Sequence, residues 1–359
     1  MNGNGAGPAS PIRVLVVDDS PSSRALLVGL LGADSRLQVV GVAADGEAAV
    51  VAAHRLKPDV ITMDIHLPKL DGFGATRRIM ESCPTRIVMV TSTSLSDEVA
   101  ASFQALESGA LAVLGKPPGP GHPQFAAARE ELLRTVTLMA EVPVVRRWPA
   151  GDRRGADAQA VARVPVRDVS LVAVGASTGG PLALQAILSR LRPGFGVPIV
   201  IVQHISLGFA DGLVQWLQRS SRYDVRVAAD GDIMQPGVAY VAPDDAQTTV
   251  HGSGRIVLSR AAAENGFRPS VASLFRSVAE QYGRRAVGVL LTGMGQDGAR
   301  ELKVMRDAGA LTIVQDADSA AINGMPGEAV RLGAAMHVLS PEGIAALLNG
   351  LLQAEGTFP

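Results

Sequence analysis

Short, largely apolar runs recur along this 359-residue chain, and each stops abruptly at a polar side chain or a glycine turn. A strand buried on both faces reads this way, and such strands belong to parallel sheets covered by helices on either side. Stretches with helical apolar spacing separate the runs, so the pattern predicts two open, doubly wound α/β sheets. In such sheets ligands and reacting groups gather beyond the carboxyl ends of the strands. The residues just after each run therefore mark where chemistry is to be sought.

In the first third of the chain, the run 12–17 ends at Asp18 and Asp19, and the run 59–63 ends at Asp64. The run 87–90 leads to Thr91, and the run 111–115 to Lys116. Adjacent carboxylates at the end of a buried strand repel one another unless a divalent cation sits with them. Hard oxygen ligands suit Mg²⁺, a carboxylate can attack phosphorus, and a hydroxyl and an ammonium can meet phosphoryl oxygens. Three Asp, one Thr and one Lys at successive strand ends thus form a site for Mg²⁺ and a phosphoryl group.

Further on, the apolar run 171–176 passes into Gly175-Ala176-Ser177-Thr178-Gly179 and then into a helix. This spacing fits the G-x-S-x-G nucleophile elbow, in which glycines allow a turn that lifts the serine hydroxyl clear of the sheet. Read alone, the segment also fits an anion-binding turn at a helix N-terminus or a plain tight turn. A nucleophilic serine needs a base, and the base needs a group to fix its tautomer. Among six histidines, His204 follows the apolar run 197–203, and Asp297 closes the glycine-rich loop after the run 287–291. Three strand ends thus deliver Ser, His and Asp, in an order unlike the Ser, Asp, His of α/β-hydrolases. Singly, Ser177 and Asp297 also read as helix N-caps and His204 as an edge histidine. His251, in a predicted hairpin over 250–258, and His337, in a late strand, read as ordinary histidines.

The N-terminal pattern closely resembles the receiver domain of two-component response regulators. The resemblance implies a flavodoxin-like fold with Asp64 as phospho-acceptor, Asp18, Asp19 and Asp64 as Mg²⁺ ligands, Thr91 as switch hydroxyl and Lys116 as phosphate-pairing lysine. Val113 stands at the position where the family carries an aromatic switch residue. The runs 174–181, 203–204, 239–243, 268–271, 291–299 and 323–326 resemble the chemotaxis response-regulator methylesterases, the protein-glutamate methylesterase/deamidase family. That resemblance implies a Rossmann-like catalytic domain with the triad Ser177, His204 and Asp297, and backbone N–H groups of Thr178 and Met294 near the oxyanion. Asp244-Asp245-Ala246 and Ala272 depart from the family pattern, in segments expected at the substrate rim.

Together the two resemblances imply a phosphorylation-regulated hydrolase of glutamate methyl esters on chemoreceptor cytoplasmic domains, with glutamine deamidation as a second activity. A chemosensory histidine kinase is the implied phosphodonor, and no cofactor is expected for the esterase. The rivals are a non-catalytic phosphate sink or docking regulator, and the same enzyme in a non-flagellar chemosensory pathway. The expected domains are 11–142 and 168–355, joined by a linker over 143–167 that loses periodicity and gains Pro, Gly and Arg. A net charge of −1 offers no broad attraction to nucleic acid or anionic lipid. A single cysteine, Cys83, excludes an intrachain disulfide framework. With no apolar run of membrane-spanning length and no signal pattern, a cytoplasmic protein without membrane insertion is expected.

Overall fold

The computed structural model describes residues 10–91, 105, 108–142, 168–205 and 208–351. They fall into two compact units that divide between residues 149 and 150. The linker expected over 143–167 and residues 352–355 of the expected second domain lie outside the described residues. Among the described residues no helix is long and apolar enough to cross a membrane.

The first unit carries strands β1 (Ile12–Val17), β2 (Leu37–Ala43), β3 (Val60–Met63), β4 (Arg86–Thr91) and β5 (Ala112–Gly115). All pair in parallel, in the order β2-β1-β3-β4-β5. Helices α1 (Pro21–Gly32), α2 (Gly46–Leu56), α3 (Gly72–Ser82) and α4 (Phe125–Glu141) accompany them. The first three start where the sequence supplies a capping oxygen: Ser20, Asp45 and Asp71 accept from the N–H groups of Ser23, Ala48 and Gly74. Leu15, Ile61, Met63, Ile87 and Met89, all inaccessible to solvent, form the core. The chain reverses its direction of travel across the sheet between β1 and β3, so Asp18 and Asp64 emerge side by side.

The second unit opens with β6 (Leu171–Ala176), α5 (Gly180–Leu188), β7 (Ile199–Gln203), α6 (Ala210–Ser221), β8 (Asp224–Val227) and β9 (Val238–Val241). An antiparallel hairpin of β10 (Gln247–His251) and β11 (Arg255–Ser259) follows, in the place the turn signals predict. The chain then runs through α7 (Val271–Tyr282), β12 (Ala286–Leu290), α8 (Ala299–Asp307), β13 (Leu311–Gln315), α9 (Met325–Arg331), β14 (His337–Leu339) and α10 (Pro341–Leu351). Seven parallel strands take the order β14-β13-β12-β6-β7-β9-β8. The chain leaves central β6 toward β7 and later returns to its other side as β12, so the switch point lies between β6 and β12. Ser177, His204 and the 291–298 loop all emerge at the carboxyl edges of these three adjacent strands.

Candidate active site

Ser177 stands one residue beyond β6 on a turn held from four directions. Its N–H donates to the Thr292 carbonyl at 3.0 Å, and its carbonyl accepts from the Gly180 N–H at 2.8 Å. Gln203 Nε2 donates to the carbonyls of both Ser177 (2.8 Å) and His204 (2.9 Å), fastening two strand ends together. Thr292 Oγ1 donates to the Thr178 carbonyl and accepts from the Ile322 N–H, each at 2.9 Å, so a third loop joins the knot. Gly179 has φ +81° and caps α5 with its backbone alone, a left-handed conformation strained for any residue with a Cβ. Ser177 therefore does not cap the helix that follows it. Gly293 is required by close approach: a Cβ there would run into Met325 Sδ and lie 2.6 Å from Ser177 Cβ.

His204 and Ser177 follow register partners, Gln203 and Ala176, on adjacent strands, so their backbones are one strand spacing apart, about 4.8 Å. The His204 ring is buried, and its Nε2 lies 2.9 Å from Asp297 Oδ2. An ionised carboxylate only accepts, so Nε2 carries the ring proton and Nδ1 is the free acceptor. Nδ1 is buried without a hydrogen-bond partner. It and the Ser177 hydroxyl are not hydrogen-bonded to each other. Phe267 stacks on the imidazole with ring centres 3.8 Å apart and planes within 1°.

Asp297 does not cap its own helix either, since α8 begins after Gly298 without a side-chain cap. It sits instead at the N-terminus of α7. Oδ2 accepts from Val271 N–H (2.7 Å) as well as from His204, and Oδ1 accepts from Asn265 Nδ2 (3.0 Å) and Ala272 N–H (3.3 Å). Burial pushes this carboxyl up, but the hydrogen bonds from His204 and Asn265 outweigh it and hold the pKa below the usual carboxylate range. The acid is thus kept ionised beside the imidazole.

In the first unit, Asp18 and Asp64 are buried and Asp19 is exposed, with a carboxylate oxygen of each within 4.8 Å of the others. Lys116 Nζ bridges Asp64 Oδ2 (2.7 Å) and Asp18 Oδ2 (2.9 Å). Thr91 is buried at the end of β4, and its carbonyl accepts from the Lys116 N–H at 2.7 Å. Three carboxylates meet the Lys116 ammonium and the Arg24 guanidinium, whose Nη1 donates to the Asp18 carbonyl, so the cluster stays net negative. A hard divalent cation with oxygen ligands, such as Mg²⁺, matches both that charge and that donor set. Burial pushes the Asp64 carboxyl above its ordinary value, against the pull of Lys116. Val113 is a partly buried strand residue paired with Met89.

The profile of the response regulator receiver domain matches residues 14–122, and that of the CheB methylesterase matches residues 172–348. A protein-glutamate methylesterase/protein-glutamine glutaminase of Geobacter metallireducens is 51% identical over 343 residues, covering 95% of this chain and 99% of that protein. The chain belongs to the CheB methylesterase family. A relative of the same description from Nitrosospira multiformis is 49% identical over 349 residues, covering 96% of this chain and 98% of its own length. The crystal structure of the Thermotoga maritima CheB methylesterase catalytic domain aligns with 51% of this chain and 99% of that domain, at 33% identity and a TM-score of 0.50.

For this CheB-family chain, one expectation about the rim needs correcting. Ala272 does not line a substrate rim; it is fully buried in the first turn of α7, and its N–H points at Asp297. Asp244 and Asp245 do lie at the surface, where Asp244 Oδ2 accepts from the Gly208 N–H at 2.7 Å and Asp245 pairs with Arg268. Thr178 and Met294 lie on the two loops that Thr292 ties together, and neither N–H is engaged among the described residues. Sequence reading missed Asn265, Phe267 and the amides of α7. The available signals were the Asn265-Gly266 turn dipeptide and the Ser270 helix cap, just ahead of an apolar helix.

Proposed function

We propose that this chain hydrolyses glutamate methyl esters on the cytoplasmic domains of chemoreceptors, and deamidates glutamine there, under the control of phosphorylation at Asp64. The observation that carries this reading is the His204 ring, anchored through Nε2 to an ionised Asp297 and offering an unpaired, buried Nδ1 one strand from the Ser177 elbow. In this mechanism Nδ1 takes the Ser177 proton as the hydroxyl oxygen attacks the ester carbonyl. Asp297 stabilises the imidazolium that forms. Backbone N–H groups of Thr178 and Met294 receive the oxyanion, each worth about 2.7–4 kcal/mol. Collapse expels methanol, which leaves with the proton held on His204. Water then gives a proton to His204 and attacks the acyl-serine, and collapse passes that proton to the departing Ser177 Oγ, releasing glutamate. With a glutamine side chain the same steps expel ammonia.

The receiver half, assigned here to 11–142, takes a phosphoryl group from a chemosensory histidine kinase onto Asp64. Asp18, Asp19 and Asp64 would hold Mg²⁺, which when bound offsets charge on the phosphoryl oxygens. Lys116 pairs with the new charge and Thr91 provides the switch hydroxyl. Residues 143–167 serve as the linker and 168–355 as the esterase, and the protein works in the cytoplasm, where the receptors' signalling domains lie. The added charge of nearly two units shifts the receiver between states and raises esterase output. The test is methanol release from methylated receptor membranes, with and without a small phosphodonor and Mg²⁺. Release should rise on phosphorylation and vanish in a folded Ser177→Ala protein; retained release in that variant would refute the nucleophile.

A further inference from the structure

The turn 264–267 lies outside the three strand ends yet touches both partners of the His–Asp pair. The Glu264 N–H donates to the Phe267 carbonyl (3.0 Å) and the Phe267 N–H to the Glu264 carbonyl (2.9 Å), closing a tight turn. Its two central residues, Asn265 and Gly266, have φ of 54° and 84°. Asn-Gly is the pair best suited to a turn with both centres left-handed. Backbone bonds therefore set its shape, and its side chains are free for other use. Its base is fixed twice: Glu264 pairs with Arg276 of α7, and Gln247 Nε2 of β10 donates to the Phe267 carbonyl at 3.1 Å.

From this base, Asn265 sends its amide inward to Asp297 Oδ1 although the residue itself is exposed, and Phe267 lays its ring flat on His204. Each contact removes one rotation. With Asn265 and the Ala272 N–H on Oδ1 and the Val271 N–H on Oδ2, the carboxylate presents a fixed oxygen to the imidazole. With Phe267 at 3.8 Å, the imidazole cannot swing about its χ2 without clashing, and an aromatic face meets the positive charge as it develops.

We infer that Asn265 and Phe267 are positioning residues for the hydrolysis, one turn orienting both the base and its carboxylate. This rests on the Ser177–His204–Asp297 reading above. Their effect belongs to the chemical step, where a misplaced catalytic group weakens the transition state more than substrate binding.

The experiment uses the full-length protein and methylated receptor, measuring kcat, KM and melting temperature. Asn265→Gly keeps the positive φ and removes the donor; Phe267→Leu removes the ring and keeps the backbone bonds. Each should lower kcat about tenfold, or about 1.4 kcal/mol, with little change in KM. Phe267→Tyr should stay near wild type, and Asn265→Asp, which sets a second carboxylate against Asp297, should be slower than Asn265→Gly. The double variant Asn265→Gly, Phe267→Leu should fall by less than the product of the single effects, since both act through one pair. Unchanged kcat, a change confined to KM, Phe267→Tyr as slow as Phe267→Leu, or a loss of rate matched by loss of folded protein would each overturn the inference. A wild type that releases no methanol, or a fully active His204→Ala, would instead remove the parent reading and this inference with it.

Discussion

Replacing Asp297 by Asn removes one charge while keeping the shape, and the surrounding donors decide which way the new amide faces. Each carboxylate oxygen accepts two hydrogen bonds: His204 Nε2 and the Val271 N–H on Oδ2, Asn265 Nδ2 and the Ala272 N–H on Oδ1. An amide must turn its NH₂ toward one of these two pairs. Facing His204, it would strand the Val271 N–H, held at only 2.7 Å. Facing the other way, it strands the weaker 3.3 Å bond from Ala272, and the exposed Asn265 can rotate its own amide to offer oxygen. The second orientation wins, so the imidazole keeps its proton on Nε2 and Nδ1 stays a base. The variant loses the attraction between carboxylate and imidazolium. At about 4 Å between charge centres and an effective dielectric of about 20, that is about 4 kcal/mol. A loss of that size slows the chemical step about 10³-fold. Single-turnover methanol release, corrected for folded protein by calorimetry, measures it. An Asp297→Asn enzyme within tenfold of wild type would show that the carboxylate does not stabilise the imidazolium, and the electrostatic reasoning would fall.

Three further outcomes are expected. The low folded pKa of Asp297 means its contribution to stability is complete above the unfolded carboxylate value, about 3.9, and is lost as pH falls through the folded value; acid unfolding of Asp297→Asn should therefore depend less on pH below about 4, and an identical profile would contradict this. Asp64→Asn removes one of three clustered carboxylates, so without Mg²⁺ it should be more stable than wild type by about 1–2 kcal/mol and fail to label with a phosphodonor; lower stability would contradict the repulsion argument. Gly293→Ala forces a Cβ onto Met325 Sδ and Ser177 Cβ and should destabilise the esterase unit by about 1–3 kcal/mol while depressing methanol release, whereas wild-type melting and activity would show that the elbow has slack.

The sheets and the strand-end residues were readable because buried parallel strands leave an unambiguous apolar signature and end where the chain must turn. Asp18, Asp64, Thr91, Lys116, Ser177 and His204 each follow or end such a run, and the reversal of strand order beside β1 brings Asp18 next to Asp64. Asp297 was found through its glycine-rich loop, but its surroundings were not. The donors that hold it come from Asn265, Val271 and Ala272, which belong to a turn and a helix start that periodicity does not connect to β12. Ala272 illustrates the limit: a departure from the family pattern seen in sequence carries no sign of burial, and the residue proves to act through its backbone N–H.

The His204–Asp297 bond spans 93 residues, and the knot around Thr292 also draws in Gln315, the Ile322 N–H and Met325, whose N–H reaches the Gly293 carbonyl. Bringing such distant segments together requires the long loops between them to close first. A chain that ends before these segments lacks both the Asp297 carboxylate and the Thr292 loop that holds the Ser177 turn. The site therefore depends on contacts of high sequence separation, and it is complete only when the whole second unit is folded.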